Sequence, residues 1–190
     1  MTAGLHSIRV LAEPGATVAT LTAGGMRVPC ALGRAGIVRD KREGDGGTPA
    51  GTHRLVGVLY RADRIRRPIT RLPVAPIHRD DGWCDDTADR RYNRPVGLPC
   101  DASHERLWRD DNLYDIIVIL DYNLAWPVAG RGSAIFLHLA QPGFAPTAGC
   151  IAVDVGTMRR LLVLADRLTG LNVIPTTRCV RPSADFAEFA

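Results

Sequence analysis

The sequence predicts a mainly β domain with minor α content, and three observations carry that expectation. Apolar runs along the 190 residues are of strand length and are separated by turn formers, 19 glycines and 13 prolines being spread through the chain. Only one segment, late in the chain, repeats its apolar residues at helical spacing. A chain of 190 residues, 46% of them apolar, suffices for one well-cored domain and is short for two, so residues 1–190 are expected to fold as one unit.

The first third reads as a meander of short strands, Ser7 to Leu11, Val18 to Leu21 and Met26 to Ala31, punctuated by Pro14, Gly15, Gly24 and Gly25. A glycine-dense loop over residues 41–51, KREGDGGTPAG, then feeds a strand from Thr52 to Tyr60, in which Leu55 and Leu59 face away from Val56, Val58 and Tyr60. Residues 61–112 change character: arginine, aspartate and proline dominate, and Trp83, Tyr92 and Trp108 stand among charges. A stretch of this length without periodicity is read as an insert or lid, and its tryptophans speak for order.

Structure resumes with two near-continuous apolar runs, Tyr114 to Leu120 and Ala134 to Ala140, of the length of buried central strands. Asp154 is placed to cap a helix whose apolar positions are Met158, Leu161, Leu162, Ala165 and Leu168, with Gly170 ending it. Asn172 to Thr176 is the expected closing strand.

The formal charge is +4, and Lys41 is the sole lysine among 24 basic residues. An arginine fork grips carboxylates as well as phosphate. Aspartates interleave with the arginines, as in Asp85, Asp86, Asp89, Arg90 and Arg91, so no basic stripe for nucleic acid forms. No apolar run reaches the roughly 18 residues that span a bilayer. The N-terminal MTAGLHSIRVLAEPG lacks the charged leader and apolar core of a signal peptide. Five cysteines, at 30, 84, 100, 150 and 179, include no CxxC pair, so neither a zinc finger nor a disulfide framework is predicted.

One segment carries chemistry. His138 lies in an apolar strand, and twelve residues later Cys150 follows Gly149 at the start of another. A thiol attacks as thiolate, and imidazole is the base suited to make it one near neutral pH. The loop from Gln141 to Pro146 is read as returning the chain antiparallel, which brings His138 to Cys150 as base to nucleophile. Glycine lets a substrate approach the backbone, so the amides of Gly149 and Cys150 are candidate donors to an oxyanion, and Thr147 braces the turn or binds substrate. Taken singly, the cysteine is a small core residue and the histidine a satisfied one. Their joint placement with glycine and threonine favours catalysis. No HxE or CxxC partner accompanies them, so no metal site is predicted, and acyl transfer by thiolate, imidazole and amides needs no cofactor.

These residues carry a family resemblance. Residues 133–138, SAIFLH, then 147–151, TAGCI, followed by a leucine-rich helix, resemble the YkuD-type L,D-transpeptidases, including a short proteobacterial subgroup. The earlier GTPAG at 47–51 resembles that family's Thr-Pro-x-Gly segment. The resemblance covers residues 5 to 175, least so over 61–112, and implies a β-sandwich catalytic domain whose cysteine attacks an L-D peptide bond of a peptidoglycan stem. An acyl-enzyme then passes to the amine of a second stem. Carried over by position, Cys150 is nucleophile, His138 base, and Gly149 with Cys150 the oxyanion donors.

Two positions depart from the family. Ala148 stands where His-Gly-Cys is usual, and Leu139 replaces the glycine or serine that usually follows the histidine, so the mouth of the site is expected to differ. With the insert, these favour a donor through L-alanine, a 1-3 crosslink, over the 3-3 kind. Trp83, Tyr92 and Arg94 of the insert, with Arg131 and Lys41, are candidate substrate-binding residues for stem carboxylates. The alternative for the insert is a surface excursion with its tryptophans tucked beneath. Rival functions are an L,D-carboxypeptidase or amidase with the same cysteine, and a non-catalytic cell-wall-binding module. Peptidoglycan as partner implies the periplasm, where Cys84 and Cys100 are able to bridge across the insert.

Overall fold

The computed structural model describes residues 4–176. The chain opens as the meander expected from its turn residues: β1 (Ser7–Ala12), β2 (Val18–Ala23) and β3 (Met26–Ala31) pair antiparallel in order. Ala23 faces Met26 across a two-residue turn in which Gly24 and Gly25 have φ of 50° and 80°. Both angles lie in the region that glycine enters freely, and this turn follows the twist of the strands it joins. Ile8, Val10, Ala19 and Leu21 alternate onto the inner face and are buried.

Two short strands, β4 (Ile37–Val38) and β5 (Thr48–Pro49), pair parallel and close the glycine-dense loop. The long β6 (Gly51–Tyr60) follows. Within residues 61–112 lie β7 (Val74–Pro76), which pairs parallel with β6, and a three-stranded antiparallel sheet of β8 (Asp81–Cys84), β9 (Pro95–Gly97) and β10 (His104–Arg106). Sequence periodicity missed these strands because each is only three or four residues long. Then come β11 (Ile116–Leu120), β12 (Phe136–Leu139), β13 (Ile151–Val153), helix α1 (Val155–Leu164) and β14 (Gly170–Pro175). The fold is mainly β with one helix among the described residues, as the sequence predicts.

The large sheet runs β11-β12-β13-β3-β2-β1-β14-β6-β7. An additional ladder from Ile116↔Tyr60 to Leu120↔Leu55 joins β11 to β6, so the sandwich is one sheet folded round until its ends meet. Its interior holds the main core. Ile116, Val118, Leu120, Ile135, Leu137 and Leu139 point inward, with Met158, Leu161 and Leu162 of α1 packed on them. The alternate residues Ile117, Ala134 and Phe136 turn outward, yet they are also buried, under Trp83, Leu107 and Tyr114. Strands covered on both faces read as continuous apolar runs, which is why these two stood out in the sequence.

Two expectations are corrected. The connection from His138 to Cys150 does not return antiparallel: β12 and β13 are parallel, with Leu137↔Ile151 and His138↔Ala152 in register. The chain between them therefore travels back along the strands before re-entering the sheet. Helix α1 starts where expected, with Asp154 accepting from the Thr157 N–H at 2.9 Å. It ends sooner, at Leu164, with Ala165 extended and Leu168 74% exposed. Asp166 and Thr169 make the turn instead, and Gly170 opens β14 rather than closing the helix.

Candidate active site

Cys150 stands immediately before β13, at the end of a turn that only glycine permits. Gly149 has φ of 141°, and a Cβ built on it would lie 2.9 Å from the Gly47 carbonyl oxygen. Thr147 organises the turn: its hydroxyl donates to the Cys150 carbonyl at 2.7 Å and accepts from the Gly149 N–H at 3.1 Å. From the far side Thr48 Oγ1 accepts from the Gly33 N–H at 2.8 Å and donates to the same Cys150 carbonyl at 3.4 Å. The Thr-Pro segment and the cysteine segment, remote in sequence, are thus halves of one support.

The Cys150 sulfur accepts from the Phe136 N–H at 3.3 Å and donates to the Ala134 carbonyl at 3.2 Å, the latter residue being held at φ of 52°. His138, 5% exposed, lies two residues along β12 from Phe136 and so on the same face of the strand. Its Nδ1 donates to the Leu139 carbonyl at 2.9 Å. A carbonyl only accepts, so Nδ1 carries the proton and Nε2 the free lone pair. The Tyr114 ring meets the imidazole edge-on at 5.3 Å. Cys150, His138 and Thr147 share a cavity of about 330 Å³ with Ala148, Arg34, Lys41, Glu105 and Arg109.

The family model of the L,D-transpeptidase catalytic domain, YkuD, matches residues 9–174. The chain belongs to this family. Among solved structures it is similar to Mycobacterium tuberculosis L,D-transpeptidase 1, with 14% identity and a TM-score of 0.38, over 88% of this chain and 61% of that one. It is also similar to the helical cell shape determining protein Pgp2 from Campylobacter jejuni, with 12% identity and a TM-score of 0.41, over 90% of this chain and 48% of that one. The chain thus spans roughly half to three fifths of the length of these structures. At such scores the likeness bears on none of the site residues. A search of the curated proteins finds no match.

Charge in this YkuD domain is arranged against a preformed ion pair. Burial, and after it the neighbouring Glu105, pushes the Cys150 thiol up to about 12, while the Phe136 N–H and Lys41 act weakly the other way. Burial likewise lowers His138 to about 4. Both groups are neutral at pH 7, and the sulfur's hydrogen bonds go to the backbone, not to the imidazole.

The structure gathers some of the sequence candidates and separates others. Lys41 lines the cavity although 4% exposed, its ammonium held by Asp45 at 2.5 Å and the Arg42 carbonyl at 2.7 Å. Gly149 is in place, but its N–H is engaged by Thr147, whereas the Cys150 N–H has no partner among the described residues. Trp83 is buried behind the site: its indole donates to Asn93 Oδ1 at 2.8 Å and packs edge-on against Phe136 at 5.1 Å, a contact worth about 1 kcal/mol. Tyr92 is buried, donating to Glu43 at 2.5 Å and accepting from the Gly132 N–H at 3.0 Å. Arg94 donates to the carbonyls of Leu124 and Ala125, and the exposed Arg131 pairs with Asp40. All four lie outside the cavity lining; Trp83, through Asn93 to the Ala134 N–H, and Tyr92, through Glu43, support residues that line it.

Leu139 is corrected too. Its side chain enters the main core, so it does not shape the mouth, and only its carbonyl serves the site. Ala148 does face the cavity. Cys84 and Cys100 share a small cluster as free thiols, and Cys179 lies outside the described residues.

Sequence reasoning missed Arg34, Glu43, Asp85, Glu105, Arg109 and Tyr114, all of which line the cavity. Glu105 and Arg109 come from the insert, where no period marks which residues point inward. Tyr114 heads an apolar run, the one signal that set it beside His138.

Proposed function

We propose that this domain is a peptidoglycan L,D-transpeptidase acting through Cys150 and His138. The observation that supports it most is the cysteine on its glycine turn, sharing one cavity with an imidazole whose Nδ1 is tied to the Leu139 carbonyl and whose Nε2 keeps a free lone pair. In the proposed reaction the thiol turns from the Ala134 carbonyl and its proton passes to His138 Nε2 as sulfur attacks the carbonyl carbon of an L-residue. Since both groups start neutral, proton transfer accompanies attack and no standing thiolate is required. The tetrahedral oxyanion takes the free Cys150 N–H, and the Gly149 N–H once Thr147 releases it. His138 returns the proton to the departing D-residue nitrogen as the C–N bond breaks, leaving an acyl thioester.

An amine from a second stem then attacks the thioester, gives a proton toward His138, and restores the thiol as the C–S bond breaks. Arg34, Lys41 and Arg109 line the cavity where carboxylates of a stem peptide enter. Insert residues 61–112, which supply Asp85, Glu105 and Arg109 to the wall, are the proposed specificity element. With Leu139 turned into the core, the leaning toward an L-alanine donor and 1-3 crosslinks rests on Ala148 and this wall. Peptidoglycan substrates place the proposed activity in the periplasm. No helix among the described residues is long and apolar enough to cross a membrane.

The test is mass spectrometry of defined muropeptide monomers incubated with wild type and Cys150→Ala. A Cys150-dependent dimer is the expected product, and its fragment ions name the donor. Shortened monomers alone would make the domain a hydrolase, and unchanged monomers would make it a binding module.

A further inference from the structure

We infer that Glu105 receives the ammonium of the acceptor stem and positions it against the acyl group on Cys150, so that amine is chosen over water. The inference rests on the transpeptidase reading above. Glu105, at the middle of β10, lines the cavity that Cys150 opens into. One of its oxygens accepts from the Tyr114 hydroxyl, and the other has no partner among the described residues. Tyr114 in turn abuts His138, so the carboxylate is fixed by the same ring that packs on the base. Asp85, joined to the β10 segment through its N–H and the Ser103 carbonyl at 3.1 Å, lines the same wall. Its Oδ1 is fully buried without any hydrogen-bond partner.

A carboxylate beside a nucleophilic thiol works against the first half of the reaction. After burial, Glu105 is the foremost influence raising the Cys150 thiol, because its negative charge disfavours a second one nearby. The second half-reaction supplies a reason for its place. An acceptor amine arrives protonated, must come within reach of the thioester, and must lose a proton before nitrogen can attack. A carboxylate with a free oxygen gives that cation a charge-assisted hydrogen bond, while a neutral water gains far less. Asp85, a second acidic side chain on that wall, adds to the same preference. Burial also raises Glu105, which makes it a better proton acceptor than an exposed glutamate.

One proton passes from the ammonium nitrogen to Glu105, leaving a neutral amine and a carboxylic acid. The amine nitrogen attacks the thioester carbon, the C–S bond breaks, and the second nitrogen proton reaches sulfur through His138. Glu105 then loses its proton to solvent as the product departs. Arg34 and Arg109 on the same cavity attract stem carboxylates, so anionic and cationic parts of the acceptor have separate partners.

The experiment measures, for wild type and Glu105→Gln, the ratio of crosslinked to hydrolysed product formed from one donor stem peptide at rising concentration of a second stem peptide. The ratio concerns only molecules that have acylated, so partial unfolding does not enter it. Loss of the charged contact is expected to lower the ratio roughly ten- to hundredfold. Hydroxylamine, a neutral nucleophile at pH 7, should trap both acyl-enzymes with the same ratio to hydrolysis, and Glu105→Asp should recover part of the amine preference. A Glu105→Gln ratio within twofold of wild type would overturn the inference, as would an equal fall toward hydroxylamine. A variant that never acylates while wild type does would also overturn it, by assigning Glu105 to the first half-reaction. Wild type that never acylates would remove the transpeptidase reading itself.

Discussion

Thr48 and Cys150, 102 residues apart, are joined by a hydrogen bond from the threonine hydroxyl to the cysteine carbonyl at 3.4 Å. The same hydroxyl accepts from the Gly33 N–H, so one buried side chain ties three segments behind the nucleophile. Thr48→Val keeps the volume but removes both bonds and leaves a buried N–H without a partner. A loss of about 1–3 kcal/mol in urea unfolding is expected, with slower turnover by the folded fraction. Unchanged stability would show that the contact does not hold the turn.

Gly149→Ala is expected to be worse tolerated than its small size suggests. The new Cβ would stand 2.9 Å from the Gly47 carbonyl at φ of 141°, where an L-residue is strained in addition. The expected outcome is a fall of several degrees in melting temperature and loss of acyl-enzyme formation, read by calorimetry and intact-protein mass spectrometry.

His138 links stability to pH. Its folded value, about 4, lies below the ordinary 6.5, so the folded state resists a proton that the unfolded chain accepts. Its contribution is therefore full above 6.5 and is lost as pH falls toward 4, a change of about 3 kcal/mol. Urea midpoints measured across that window should fall for wild type more steeply than for His138→Gln. Parallel curves would show that the imidazole is not the group responsible.

The thiol should be sluggish in the free protein. With Cys150 raised to about 12, alkylation by iodoacetamide at pH 7 is expected to be far slower than that of an exposed cysteine, and to climb steadily on the alkaline side. Cys30, also raised to about 12 by burial, makes the internal comparison. A plateau for Cys150 below pH 8 would mean that a thiolate-imidazolium pair forms without substrate.

The sequence alone determined what depends on near neighbours. Turn glycines, alternating apolar faces and the Asp154 cap act within a few residues, and they located β1 to β3 and the start of α1. β6 was located too, but its irregular pairing with β11 puts Val58 with Leu55 in the main core and Leu59 on the opposite face, not as the alternation predicted. The Gly149-Cys150 and Thr48-Pro49 segments were legible because each is a short local geometry with its own residue requirement, and His138 because a polar ring in an apolar strand is conspicuous. Tertiary structure decided what depends on distant partners. The parallel pairing of β12 with β13 follows from how the whole sheet closes. Leu139 faces the core rather than the mouth because β12 is buried on both sides and its pleat assigns alternate residues to each. Trp83 and Tyr92 support the walls and Arg94 ties down the segment at Leu124 and Ala125, while Glu105 and Tyr114 reach the cavity. Trp83 and Glu105 lie in short strands and the other three in the turns beside strands, all placed by backbone pairing that every residue can make, so nothing in their side-chain order announced which of them would face the nucleophile.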